Sequence, residues 1–510
     1  MNEAHFCSLP TQSNVYGLTN IALPDSMSKL LVACLRGKVV SIEHNPEDDS
    51  FGLASKDAHF TYIPGDAEIV SIDAFSKKAD KSGVVIGITF VKNNETKPSK
   101  FLNIYSEWEP ETEFDLDSIA QGCFNLELQF IPFQLYHAEL ICDDSKEIVF
   151  LLSGNDKKVH LFREDIFLHI FGEHPVDRFF PEFANLPSNV IWIDIRYVDA
   201  GKQRLTAMGC QDGYVRLVHV NAVNKDIINQ WSIQHDSPIT SIKLFEFHTK
   251  VSCPGSVAHL CTSTEDSEDE APESEKESIV EKEKDTMNPD YHLLVCGALE
   301  VTVVYRSVLE NGLHLSNQIV LPESNDYDCV LCACVADLNF DGHNEIILGT
   351  YGQELLIYRH FLPEEMKQRQ QQQLVSKKNT DDSDKELDSS LHADLSSFLP
   401  NKLDGEYALI GRRSFAYPLL AIDKLDLTCD GLEELAVLSQ CGLHILQHNP
   451  DDVAKICLDR LKTLVPETNS NHEIDNKDNT PPIMVDEVSN ELDSLRITKS
   501  EPENTEMSGT

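Results

Sequence analysis

The sequence predicts an all-β chain built as one seven-bladed β-propeller, followed by a short C-terminal helix and a disordered acidic tail. Three observations carry that reading. A unit recurs along the chain: an apolar strand, a Gly/Asn/Asp turn, then a strand with a polar residue set between apolar ones. The units are evenly spaced apart from two long gaps. Both gaps contain segments too polar to join a core.

The units start at Leu30 (LLVACLRGKVVSIEH), Val84, Ile148, Leu205, Leu293, Ile346 and Leu435. Their second strands align as Val40-Ser41-Ile42, Leu102-Asn103-Ile104, Val159-His160-Leu161, Val215-Arg216-Leu217, Val301-Thr302-Val303, Leu355-Leu356-Ile357 and Leu443-His444-Ile445. The middle residue is polar in six of the seven, which predicts strands with one buried face and one exposed face. Successive starts lie 54, 64, 57, 88, 53 and 89 residues apart; without inserts of 29 and 43 residues the long gaps become 59 and 46. A further strand precedes most units (AEIVSIDAF, FQLYHAELI, SNVIWIDIRYV, SPITSIKLFEF and YDCVLCACV), so each unit fits a four-stranded blade. A single blade cannot bury both of its faces, whereas a closed ring can. The predicted ring spans 13–448, and SNVYGLTNIAL from Ser13 is the strand expected to complete the last blade. No unit carries the Gly-His…Trp-Asp signature, so the ring is WD40-like in architecture only.

The inserts are 262–290, with net charge −9, and 363–405, with −3; the tail 466–510 carries −8. Together they hold −20 of the chain's −43. Their composition cannot offset the entropy of ordering, and disorder is expected of all three. Within the tail, Val485, Val488, Leu492 and Leu495 have helical spacing that could fold on a partner. Between ring and tail, Asn449-Pro450-Asp451-Asp452 is a helix start, with a cap, a first-turn proline and acids at the positive end of the dipole. It predicts a helix over 450–465 whose apolar face either packs on the ring or docks a partner.

Composition narrows the function. Apolar residues are 41% and charged residues 25%, as in ordinary globular proteins. A net charge of −43 repels phosphate backbones and anionic lipid, so neither nucleic-acid binding nor direct membrane insertion is expected. No apolar run approaches the roughly 18 residues of a membrane span, and the N-terminus has no secretory pattern. The fourteen cysteines follow no disulfide framework and read as reduced thiols. That includes Cys329-x-x-Cys332-x-Cys334, which sits in an apolar run without a second Cys/His pair.

One short motif occurs twice. Asp337, Asn339, Asp341, Gly342 and Glu345 match Asp426, Thr428, Asp430, Gly431 and Glu434 at a constant offset of 89. Oxygens at positions 1, 3, 5 and 9 around a glycine at 6 are what a hard cation such as calcium needs from a short loop. The pattern resembles the cation loops of integrin-type FG-GAP propellers. The same residues also build a tight turn, with the carboxylates accepting backbone N–H groups, and that reading is preferred: no cofactor is expected. No nucleophile elbow, zinc helix, phosphate loop or nucleotide fingerprint appears, and the chain is read as not an enzyme. His160 and His444, at the polar middle position of their strands, are expected to be solvated.

Several strings resemble the kaptin family: Ala67–Phe75 (AEIVSIDAF), Phe101–Tyr105 (FLNIY), Leu116–Glu139, Gly209–Arg216 (GCQDGYVR) and Thr350–Leu356 (TYGQELL). The resemblance runs from about Ser13 to Leu464 and omits the inserts and the tail. It implies a non-enzymatic scaffold subunit of the KICSTOR complex, beside an FG-GAP-repeat propeller partner and a very large subunit. Through them it would help recruit the GATOR Rag-GTPase-activating complex to lysosomes and restrain TOR signalling when amino acids or glucose fall. It also implies an alternative: association with actin filaments, as in lamellipodia. Actin is acidic, and the chain's own charge makes direct actin binding the weaker expectation. A cytoplasmic protein held at lysosomes by its partners follows. The resemblance assigns no residue-level site.

Overall fold

Strand order gives the architecture directly. The computed structural model describes residues 1–464 apart from 24–27, 45–51, 78–82, 94–96, 107–114, 143–144, 166, 248–288, 363–364 and 366–404. The described residues form seven antiparallel four-stranded sheets. The first holds β2 to β5 (Ser13–Ala22, Ser28–Cys34, Lys38–His44, Leu53–Ala58) and the second β6 to β9 (Glu68–Ser76, Val84–Lys92, Ser99–Ser106, Cys123–Leu128). The third is β10 to β13 (Pro132–Cys142, Ser145–Gly154, Val159–Asp165, Ile170–His174) and the fourth β14 to β17 (Val190–Val198, Gln203–Cys210, Tyr214–Asn221, Asp226–Gln234). The fifth is β18 to β21 (Ile239–Phe247, Asp290–Gly297, Val303–Tyr305, Gln318–Val320) and the sixth β22 to β25 (Val330–Ala336, Glu345–Thr350, Glu354–Phe361, Glu406–Ser414). The seventh joins β26 to β28 (Leu419–Leu425, Glu434–Ser439, Gly442–Gln447) to β1 (Asn2–Ser8). Each innermost strand lies against the next, and β2 meets both β6 and β26, which closes a seven-bladed ring.

Closure differs from the expectation in one respect. The strand that completes the seventh blade is β1, upstream of the ring expected from 13; the segment from Ser13 is instead the innermost strand of the first blade. Residues 2–8 are mostly polar and exposed, so they carry no apolar signal, yet β1 pairs along β28 from Asn2↔Gln447 to Ser8↔Gly442. Phe6 covers Gly442, where any Cβ would collide with its ring. Glu3 reaches Arg413 and His444, each at 3.0 Å.

The apolar core lies between blades. Each of the seven gaps holds its own cluster; Ile21 and Leu31 meet Ile72 and Ile86 between the first two blades, and Leu30 and Val32 meet Ala436 and Leu438 where the seventh meets the first. Both faces of every blade are therefore covered, and this overturns the expected exposed face. Ser41, Asn103, Arg216, Thr302 and His444, all polar middle residues, are buried. Most are paired there: Asn103 donates to the Tyr105 hydroxyl at 2.9 Å, and Arg216 donates to the carbonyls of Ala184 and Asn185. His444 is not a solvated imidazole but a partner of Glu3, and His160 is also largely covered.

Cys332 and Cys334 are buried in β22, where burial pushes the Cys334 thiol up to about 12 and the Cys332 thiol higher still. The expected helix forms over Pro450–Leu464, with Asn449 Oδ1 accepting the Asp451 N–H at 3.1 Å. The chain divides into two compact units after Cys457, so the helix begins in the first unit and ends in the second. Within that helix Val453 and Ile456 are half-buried, and Leu458 and Leu461 are exposed. Most of the insert 262–290, nearly all of 363–405 and the whole tail 466–510, with its Val485–Leu495 pattern, lie outside the described residues. Among the described residues no helix is long and apolar enough to cross a membrane.

Candidate functional site

The twin Asp loops occupy equivalent places, joining the two inner strands of the sixth blade and of the seventh. In the first, Asp337 accepts the backbone N–H of Asp341 (3.1 Å) and of Gly342 (2.8 Å), and Asp341 Oδ1 accepts that of His343 (2.8 Å). Asn339 Oδ1 accepts the Asp341 N–H at 2.9 Å, while its amide donates to Glu345 Oε1 at 2.6 Å. Glu345 Oε2 takes the Leu338 N–H at 2.8 Å, and Arg359 sits 2.8 Å from Asp341 Oδ2. The second loop repeats the pattern: Asp426 accepts from Asp430 and Gly431, and Glu434 accepts from Leu427 and the Thr428 hydroxyl. Gly342 and Gly431 share φ +85°, the left-handed conformation that the sharp turn requires.

The four candidate ligands are thus brought together, but their oxygens face N–H donors and a guanidinium. As arranged, they are turn acceptors, and a cation would have to displace those donors and Arg359. Among the described residues no three His, Cys, Asp or Glu side chains form a group able to hold a metal ion. Glu345 is fully buried, and burial, with the charges of Asp341 and Asp337, raises its carboxyl to about 7. Glu434 is raised for the same first reason. Between the loops lies a cavity of about 220 Å³ lined by Asp337, Phe340, Lys424, Glu433 and His448.

A second feature escaped the sequence reading. The outer hairpins of the third and fourth blades present large apolar side chains to solvent. Phe167 is 96% exposed and Leu168 66%, with Ile170 beside them; on the next hairpin Val223, Ile227 and Ile228 are exposed. The turns are built to do this. Asp165 Oδ1 accepts the N–H groups of Phe167 and Leu168, and Asn221 Oδ1 those of Val223 and Asn224. The clue was available: Phe167-Leu168 is an apolar pair at a turn, where polar residues are usual.

The chain between these blades locks the two hairpins together. The Phe179 ring has Arg163 of one at 5.6 Å and Lys225 of the other at 5.2 Å. Beneath it, Glu182 and Arg204 form a fully buried bidentate pair at 2.7 and 2.9 Å, and the guanidinium lies 4.3 Å over Phe180.

A family model described as KICSTOR complex protein kaptin matches residues 1–458. The chain belongs to the kaptin family. The mouse KICSTOR complex protein kaptin is 41% identical over 461 residues, covering 90% of this chain and 91% of the mouse protein. The match to the kaptin family therefore takes in the whole ring and both hairpins. Among solved structures, the Dos1 propeller is similar over 87% of this chain and 94% of its own (TM-score 0.44, 7% identity). Sqt1 of Saccharomyces cerevisiae is similar over 88% and 99% (TM-score 0.43, 8% identity). These distant likenesses carry no argument about function.

Proposed function

We propose that this chain is a non-enzymatic scaffold subunit of a KICSTOR complex. The observation that carries the reading is the family match over residues 1–458. The ring supports it: adjacent hairpins offering Phe167, Leu168, Ile170 and Val223 to solvent suit a protein partner, because contiguous exposed apolar side chains mark interaction surfaces. In this reading the chain sits in the cytoplasm beside an FG-GAP-repeat propeller protein and a very large subunit. Through them it helps place the GATOR complex at lysosomes and restrains TOR signalling when amino acids or glucose fall. Its net charge of −43 repels an anionic leaflet, so its recruitment runs through protein.

The test is affinity purification of the tagged full chain with quantification of co-purifying proteins. Recovery of KICSTOR subunits is expected, with no binding to liposomes of anionic lipid at physiological salt. Recovery of actin filaments in their place would overturn the assignment, as would recovery of no KICSTOR subunit.

A further inference from the structure

A cleft of about 430 Å³ opens between the second and third blades, where β9 ends and the β11–β12 hairpin turns. That volume falls within the range of pockets that hold ligands, about 300–1,000 Å³. Its floor is apolar: Leu128, Phe130 and Phe162 are buried, with Leu126 beside them. Its acidic residues are Glu127, Asp156 and Glu173, and no lysine or arginine is among the residues lining it. Glu127 and Glu173 are exposed, so their charges stand at the mouth.

The cleft is held in shape before anything enters. Asn155 and Ile131 exchange two hydrogen bonds, at 2.8 and 3.0 Å, tying the β11–β12 turn to the segment that follows β9. One wall is the His160 ring, stacked on Phe130 at 3.7 Å and 8°. Its nitrogens are engaged by Glu173 at 2.7 Å and Asp156 at 3.1 Å. Ile131, 44% exposed next to Phe130, extends the apolar surface outward.

We propose that this cleft is a docking pocket for a basic side chain, lysine or arginine, carried on an otherwise apolar segment of a protein partner. The methylene stem of such a residue lies along Leu128 and Phe130, and its charged head meets the carboxylates of Glu127, Asp156 and Glu173. Neighbouring apolar residues of the segment rest on Ile131. An acidic segment is repelled by three carboxylates, and a wholly apolar one strips water from them without compensation. Because the walls are already fixed, little ordering cost opposes entry. The chemistry of the pocket is the same whichever complex contains the chain.

The experiment uses the purified full chain and display libraries of short peptides, randomised except for a central Arg, Lys, Gln or Glu. Arg- and Lys-centred pools should be retained roughly tenfold over the other two, a difference of about 1.4 kcal/mol. That preference should vanish on the variant Glu127→Gln/Asp156→Asn/Glu173→Gln with its melting temperature unchanged. If the triple variant does not fold, Glu127→Gln/Glu173→Gln, which alters only exposed residues, gives the same readout. Equal retention of the Gln-centred pool would make this an apolar groove and overturn the proposal. A basic preference that survives neutralisation would place the binding elsewhere and overturn it too, as would retention of no pool.

Discussion

Replacing Glu182 with alanine should destabilise the ring severely. Both Glu182 and Arg204 are fully buried, and the carboxylate accepts from Arg204 Nε at 2.7 Å, from Nη2 at 2.9 Å and from the Thr206 hydroxyl at 3.0 Å. Glu182→Ala removes all three and leaves a guanidinium away from water with, among the described residues, the Phe179 carbonyl (3.0 Å) and the Phe180 ring against it. Breaking a buried pair from one side costs about 3–5 kcal/mol, because the remaining charge has no counter-charge. Against a total stability of about 5–15 kcal/mol, that is a large share. Glu182→Leu combined with Arg204→Met should cost less than Glu182→Ala alone, because no charge is stranded. Urea unfolding, compared at constant m, measures both variants. A cost below about 1 kcal/mol for Glu182→Ala, the range of an exposed pair, would refute the reasoning.

Burial raises the Glu345 carboxyl from 4.5 to about 7, so the folded chain binds a proton more tightly than the unfolded chain does. Its contribution therefore falls as pH rises from about 4.5 to about 7; Glu345→Gln should flatten that slope in melting-temperature scans, and identical slopes would contradict it. Calcium and chelator should each leave the melting temperature unchanged, because the oxygens of Asp337, Asn339, Asp341 and Glu345 already serve N–H groups and Arg359; a calcium-dependent rise abolished by Asp341→Ala would contradict this. Deleting residues 2–8 removes the six β1–β28 pairs, worth about 1–6 kcal/mol at roughly 0.2–1 each, and bares the β28 edge; it should lower the melting temperature and promote self-association on gel filtration.

Much of the ring was legible because its three inner strands per blade are apolar and regularly spaced. The fourth strands were not legible. Residues 226–234 (DIINQWSIQ) and 406–414 (EYALIGRRS) lie at the periphery; the first are largely exposed and the second, Tyr407 apart, are exposed or half-buried, so they carry little apolar signal. β1 was missed for the same reason. The middle residues misled: alternation was read as one wet face, but in a ring a polar side chain can be buried between blades if it is paired, as Asn103 and Arg216 are. The Asp loops were found by spacing, and their side-chain hydrogen bonds required coordinates. The exposed hairpin tips carry a signal in Phe167 and Leu168, but it lies outside the repeated strand pattern from which the blades are read.

The central claim is that a ring of the kaptin family docks its partners through protein surfaces, foremost the hairpins of the third and fourth blades. Hydrogen–deuterium exchange, compared between the free chain and the chain within its purified complex, tests this most directly. The account predicts protection concentrated at 165–170 and 221–228, and its loss with Phe167→Asp/Val223→Asp in a chain that still folds. Unchanged exchange at both hairpins, with protection confined to other blades, would contradict it.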